Sequence, residues 1–132
     1  MSSENVEIVR RAYEAFNRDD PEAAIALLDQ EVEWTLPAHF PDAETWRGRE
    51  RVVDGLRAMA ASWESLHLEV QELIDAGDRV VALVHIQGRA AVTGLDLSGM
   101  GVDGHLWSLR GGRVTAVRMY GGTADALKEI GR

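Results

Sequence analysis

The hydrophobic residues at the start of the chain recur at helical spacing. One apolar stripe is formed by Val6, Val9, Tyr13 and Phe16. Ser3 can cap the start of this helix, and the pattern breaks at residues 17–20. Asp20 then precedes a proline, which is the order favoured at the cap and first turn of a helix. The sequence therefore predicts two opening helices, the second of which extends to Leu28.

A strand, a loop and a third helix are expected next. Val32, Trp34 and Leu36 alternate with polar residues, which predicts a half-buried strand. Residues 37–47 contain two prolines and show no period, so we expect a loop there. Helical spacing then returns, and the apolar face of the third helix is formed by Val52, Leu56, Met59 and Trp63.

The second half of the chain favours strands. From Leu66, apolar and polar residues alternate as far as a hairpin turn at residues 76–78. Glycine-rich residues 94–104 predict a bend, and Gly111 with its neighbouring glycine predicts a tight hairpin. The remaining strands are expected at residues 79–93, after the bend through Leu109, and at residues 114–120. Thr123 can cap a last helix through residue 130.

This order of elements predicts the fold class. Helix, helix, strand, helix and then four strands joined by hairpins indicate an α+β domain with a curved, mixed, mostly antiparallel sheet wrapped around the N-terminal helices. The concave side of such a sheet must be filled by side chains or by a ligand, so we expect a central pocket. Residues 1–132 are expected to form a single domain, because their number suits one core.

Composition and charge narrow the function classes. The hydrophobic fraction of 45% and the charged fraction of 27% are those of an ordinary globular protein, without an apolar run long enough to span a membrane. The formal net charge is −8 and Lys128 is the only lysine, which argues against binding nucleic acid. With no cysteine and no apolar signal segment at the N-terminus, the chain is expected to be cytoplasmic.

One strand carries the best candidates for chemistry. Strand alternation after residue 101 puts Asp103, His105 and Trp107 on one face. A histidine suits acid/base catalysis because its unperturbed pKa lies near neutrality. We expect His105 to move a proton and Asp103 to orient it. The alternative is a histidine that is hydrogen-bonded in the pocket wall, or one that is exposed because the strand faces are reversed.

Aromatic and apolar residues are candidates for holding a substrate. Trp34 and Trp107 are expected in the pocket, with Met119 as an adaptable apolar wall. His39 and Trp46, together with Phe40, can form a rim or lid on the predicted loop, although a plain surface loop is the commoner outcome. The remaining substrate-binding candidates include His85 and Gln87, which share one face of a strand. The others are Tyr13, Phe16, Met59, Val117 and Tyr120.

Metal and cofactor sites are not expected. The four histidines come from separate elements, and the sequence has no pair of histidines at the spacing of a helical zinc site. It also has no glycine-rich phosphate loop between a strand and a helix and no nucleophile elbow.

Several local strings resemble the nuclear-transport-factor-2-like superfamily and, within it, the SnoaL-like proteins. In chain order they are VRRAYEAFNRDD at 9–20, LLDQEVEW at 27–34, WRGRE at 46–50, ELIDAGDRVVALV at 72–84 and GHLWSLRGGRVTAVRMY at 104–120. The resemblance implies an α+β cone with a deep pocket, commonly a homodimer through the sheet. It implies no single chemistry, because members include polyketide cyclases, ketosteroid isomerase, limonene epoxide hydrolase and scytalone dehydratase.

The resemblance also bears on individual residues. His105 falls where cyclase-like relatives often carry an acid/base residue. Met119 falls where such relatives carry a carboxylate, and Gly121 stands where many have an acid, so the sequence departs from the cyclase pattern. The paired carboxylates around an arginine that limonene epoxide hydrolase needs, and the spacing that ketosteroid isomerase needs, are not found.

The sequence therefore leaves two alternative functions. The first is an enzyme of cofactor-independent acid/base chemistry, an isomerase, cyclase, dehydratase or hydrolase acting on a small hydrophobic carbonyl or ring compound. The second is a non-catalytic ligand-binding or dimerisation module with the same cavity. An enzyme needs an ionisable group deep in an open cavity, whereas a binding protein needs only the cavity.

Overall fold

The chain folds into helices packed on one curved sheet. The computed structural model describes residues 2–37, 44–96 and 101–132. In chain order its elements are α1 (Ser2–Asn17), α2 (Pro21–Ile25), β1 (Leu28–Thr35), β2 (Thr45–Arg47), α3 (Arg49–Ala61), β3 (Trp63–Ala76), β4 (Arg79–Ala90), β5 (Val102–Arg110), β6 (Arg113–Tyr120) and α4 (Ala124–Lys128). The predicted α+β class is confirmed.

The described strands form one sheet in the order β2-β1-β6-β5-β4-β3. Neighbouring strands are antiparallel except for β1 and β6, which are parallel. Hairpins join β3 to β4 and β5 to β6, and the first of them turns at Gly77 in a left-handed conformation that suits glycine (φ 81°). The expectation of a mixed, mostly antiparallel sheet is thus confirmed.

Several element boundaries differ from the sequence prediction. Thr45–Arg47 is a short strand rather than loop, because it pairs with β1, with Trp46 opposite Trp34. Trp63 starts β3 instead of ending the third helix, because α3 stops at Ala61 and Trp63 pairs with Ala90. The second helix is also shorter, since Leu28 already belongs to β1.

The two faces of the sheet pack against different helices. On the concave face, α1 covers a large core that includes Val32, Trp34, Val80, Ala82, Val84, Trp107, Val114 and Val117. On the convex face, α4 covers a smaller cluster that contains Ile74, Val81, Leu106 and Ala126. No helix within the described residues has both the length and the apolar character needed to cross a bilayer.

Helix α1 is attached to strand β3 by asparagine side chains near its two ends. The amide of Asn17 donates to the Leu68 carbonyl oxygen and accepts from the Leu68 N–H, both at 2.8 Å. The amide of Asn5 donates to the Gly77 carbonyl oxygen at 2.9 Å. These bonds hold the helix across the concave face, so that its C-terminal end lies beside the start of β3.

Candidate functional site

A cavity of about 470 Å³ lies between the C-terminal end of α1, helices α2 and α3, the concave sheet face and the start of β3. Its deeper wall is apolar and includes Phe16, Leu28, Trp34, Leu56, Leu68 and Trp107. Of these, Leu28, Trp34 and Trp107 are buried. Exposed lining residues such as Ala60 and Ser65 mark the mouth of the cavity.

Four ionisable side chains line the cavity among the described residues, and they lie toward solvent. Asp20 caps α2 by accepting from the Ala23 N–H and also forms an ion pair with Arg18. The guanidinium of Arg57 lies 3.3 Å from a carboxylate oxygen of Glu22. The other two, Asp19 and Glu64, are exposed. The deep part of the cavity is thus apolar, and its charge is at the mouth.

Asp19 has an unusual backbone conformation for a residue with a side chain. Its φ is 57°, the single positive value among the non-glycine residues described. The Asp19 N–H bonds the Phe16 carbonyl oxygen, and the Asp20 N–H bonds that of Ala15. This pair of bonds ends α1 in a Schellman motif, in which the position of Asp19 is usually glycine.

Behind Trp107 lies a buried polar network that does not line the cavity. The Trp107 Nε1–H donates to the Tyr13 hydroxyl oxygen at 2.9 Å, and this hydroxyl lies 2.7 Å from the Nδ1 atom of His105. Because an indole N–H can only donate, the Tyr13 hydroxyl oxygen accepts from Trp107. The direction of its bond with Nδ1 depends on the tautomer of His105. The Nε2 atom of His105 has no hydrogen-bond partner among the described residues.

Burial sets the charge state of this network. Desolvation lowers the pKa of His105 to about 4, because the imidazolium would lie in the core, and only 2% of the residue is exposed. Desolvation also raises the pKa of Tyr13 well above its ordinary value, an effect that the Trp107 hydrogen bond partly opposes. At neutral pH both side chains are uncharged.

The structure gives Asp103 and His105 different hydrogen-bond partners. The two residues share a strand face, but a carboxylate oxygen of Asp103 accepts from the Gly122 N–H at 3.1 Å. The Nδ1 atom of His105 is held by Tyr13 instead. Strand alternation predicts which residues share a face, whereas the partner of each side chain is decided by elements that come from elsewhere in the chain.

The two wall tryptophans turn their N–H groups away from the cavity. The Trp34 Nε1–H points to the Met119 sulfur at 3.2 Å, and the Trp107 Nε1–H bonds Tyr13. Trp34 and Trp107 pack edge to face with ring centroids 5.6 Å apart. The indole rings therefore present carbon surface to the cavity, while Met119 and Val117 pack behind that wall.

The remaining substrate-binding candidates lie elsewhere. Trp46 is buried under α3, where its ring approaches Gly55, and Met59 packs against the core without lining the cavity. The candidates that lie on the convex side of the sheet, and so do not reach the cavity, are His85, Gln87 and Tyr120. His39 and Phe40 lie outside the described residues.

The sequence prediction missed the polar residues at the cavity mouth. Asp19 lies in the turn after α1, and Glu64 lies at the start of β3, before the alternation that the sequence shows from Leu66. Arg57 belongs to the polar face of α3, which would ordinarily be solvated. One signal in the sequence is the position of Asp19. It follows the end of the helical stripe, where the backbone is often left-handed and the usual residue is glycine.

Comparison with solved structures identifies the fold. An NTF2-like protein of unknown function from Burkholderia pseudomallei superposes with a TM-score of 0.78 at 27% identity, covering 98% of each chain. A ketosteroid isomerase-like fold protein from Catenulispora acidiphila, solved with trimethylamine, gives 0.72 at 21% identity, covering 95% of this chain and 92% of that one. A candidate polyketide cyclase from Sinorhizobium meliloti gives 0.67 at 15% identity, covering 86% and 93%.

Sequence comparison identifies the family. No curated protein matches the chain significantly. The sequence pattern of the SnoaL-like domain matches residues 9–117, which is most of the chain. Together with the cone of helices and curved sheet, this match shows that the protein belongs to the SnoaL-like family of NTF2-like folds.

Proposed function

We propose that the protein binds one small, largely apolar molecule in the cavity between α1, α3 and the sheet. The observation that carries this proposal is the cavity itself, with about 470 Å³ of space and a deep wall of carbon surface. That volume lies within the range of small-molecule sites, about 300 to 1,000 Å³, and such sites are lined mainly by apolar and aromatic side chains. Trp34 and Trp107 supply flat surfaces for a ring-bearing ligand.

Blocking the mouth of the cavity should abolish this binding. Ala60 lines the mouth and is exposed, so Ala60→Trp is expected to fold and to weaken binding of a hydrophobic ring compound such as 2-naphthylmethanol at least about tenfold. Isothermal titration calorimetry measures the affinity. Ala58→Trp is the matched control, because Ala58 is also exposed on α3 and does not line the cavity. Equal affinities of the two variants would contradict the proposal.

Acid/base catalysis by His105 is the second candidate function. One observation favours it, the buried Nε2 atom without a partner among the described residues, which lies behind a wall residue of the cavity. The low pKa of His105 keeps the imidazole uncharged and so able to accept a proton. The indole of Trp107 separates it from the cavity, so a substrate would have to displace that ring.

The two candidate functions, ligand binding and acid/base catalysis, differ in whether the protein converts its ligand. If His105 is catalytic, the protein should convert members of a panel of enolisable ketones and epoxides, and His105→Ala should lower kcat by about a hundredfold or more, the usual contribution of an acid/base group. Ligand affinity should change less than kcat, because His105 does not line the cavity. Equal rates for the variant and the wild-type protein would remove His105 from any mechanism.

A further inference from the structure

The chemical class of the ligand can be narrowed further, on the assumption that the proposed function is right. The deep wall of the cavity offers no spare hydrogen-bonding group among the described residues. The indole N–H groups of Trp34 and Trp107 are bonded to Met119 and Tyr13. The Asn17 amide, which is exposed and so not part of the deep wall, is bonded to the Leu68 backbone. A polar or charged group placed at that depth would lose its hydration without compensation.

The charge at the mouth is negative. The carboxylates of Asp19 and Glu64 form no ion pair within the described part of the chain, whereas that of Asp20 is paired with Arg18. The one cationic side chain that lines the cavity among these residues is Arg57, whose charge is compensated by Glu22. A ligand whose polar end remains at the mouth therefore meets a surplus of negative charge.

The conformation of Asp19 is a separate reason to assign it a role. Its left-handed backbone closes a Schellman motif, where glycine would be free of strain. An aspartate tolerates this conformation better than most residues, but it still costs conformational energy. Local strain of this kind is often found where the side chain serves function rather than stability.

We propose that the cavity selects ligands with an apolar body and a positively charged head, namely hydrophobic amines, over carboxylates of the same shape. The body fills the apolar wall around Trp34 and Trp107, and the ammonium group stays at the mouth beside Asp19 and Glu64. Because these carboxylates are exposed, their effect is a selectivity of modest size that salt reduces, rather than the main source of affinity.

Three ligands that share one ring system test the proposal: 2-naphthylmethylamine, 2-naphthylmethanol and 2-naphthoate. At low ionic strength and neutral pH, calorimetry should give an affinity for the amine about threefold to tenfold higher than for the alcohol, and a still lower affinity for the carboxylate. High salt should bring the three affinities closer together, because it screens exposed charges.

Substitutions at the cavity mouth test whether Asp19 and Glu64 cause the preference for amines. The double variant Asp19→Asn with Glu64→Gln should bring the ratio of amine affinity to alcohol affinity close to one. Glu72→Gln is the matched control, since Glu72 is exposed on β3 but does not line the cavity. Asp19→Gly should combine the lost preference with a higher thermal midpoint, because it relieves the backbone strain.

The outcomes separate the two proposals. If none of the three compounds binds, the binding cavity itself is wrong. If the alcohol binds but the amine binds no better, or if the double variant keeps the wild-type ratio, the cavity stands and the preference for amines is wrong.

Discussion

Acidification from pH 7.5 to pH 4 is expected to cost the protein on the order of 3 kcal/mol of unfolding free energy through His105 alone. Burial lowers the pKa of this histidine from 6.5 to about 4 in the folded state, and each unit of pKa difference corresponds to about 1.4 kcal/mol. Between pH 4 and pH 6.5, His105 is mostly protonated in the unfolded chain and mostly uncharged in the folded chain. The contribution is therefore complete above about pH 6.5 and is lost as the pH falls toward 4.

Urea unfolding of the wild-type protein and of His105→Asn at both pH values isolates this effect. The variant lacks the titrating group, so its stability should fall less on acidification, by roughly the same 3 kcal/mol. Carboxylates that titrate in the same range contribute to both proteins and cancel in the comparison. His67→Asn is the control, because it removes an exposed histidine and keeps His105. Equal losses in the wild-type protein and His105→Asn would show that His105 does not titrate as proposed.

Removal of a single oxygen atom from Tyr13 should be nearly as costly. Tyr13→Phe leaves the Trp107 N–H without its acceptor and the His105 Nδ1 without its hydrogen-bond partner, both in the core. A buried polar group that loses its partner costs about 1 to 3 kcal/mol, so the loss of unfolding free energy should be about 2 to 4 kcal/mol. Chemical denaturation at neutral pH measures it.

The matched control is Tyr120→Phe. The Tyr120 hydroxyl donates to Glu129 at the longer distance of 3.5 Å, on the convex side of the sheet and exposed to solvent, so its loss should cost well under 1 kcal/mol. Adding His105→Leu to Tyr13→Phe removes one of the two unpartnered groups, so the double variant should be more stable than the sum of the single effects predicts. If Tyr13→Phe were no more damaging than Tyr120→Phe, the network would be unimportant to stability.

Much of the fold could be predicted because period and turn chemistry act locally. The apolar stripe of α1, the alternation in β3 and the glycine hairpin between β5 and β6 each place residues without reference to distant parts of the chain. The errors occurred where tertiary pairing decides. Trp63 continues the helical spacing of α3 yet joins a strand, because its backbone pairs with Ala90. Thr45–Arg47 is a strand only because β1 lies beside it.

The site could be predicted only in part. Phe16, Trp34 and Trp107 are predicted to contact a ligand, and they do line the cavity. Trp34 and Trp107 lie on the concave face of the sheet, and Phe16 lies on the helix that packs against this face. The hydrogen-bond partner of His105 could not be predicted. Tyr13 lies on a helix far away in the chain, and no local sequence pattern relates the two positions. The direction of a side chain can be predicted locally, but its hydrogen-bond partner cannot.

The asparagine that holds α1 to β3 has a second consequence. Strand β3 is an outer strand of the sheet, and its free side is where a strand from another molecule could add. At Leu68 the N–H and the carbonyl oxygen that such a strand would need are already bonded to the Asn17 amide. This side chain therefore takes the place of one residue of a neighbouring strand and blocks strand addition at that position of the edge.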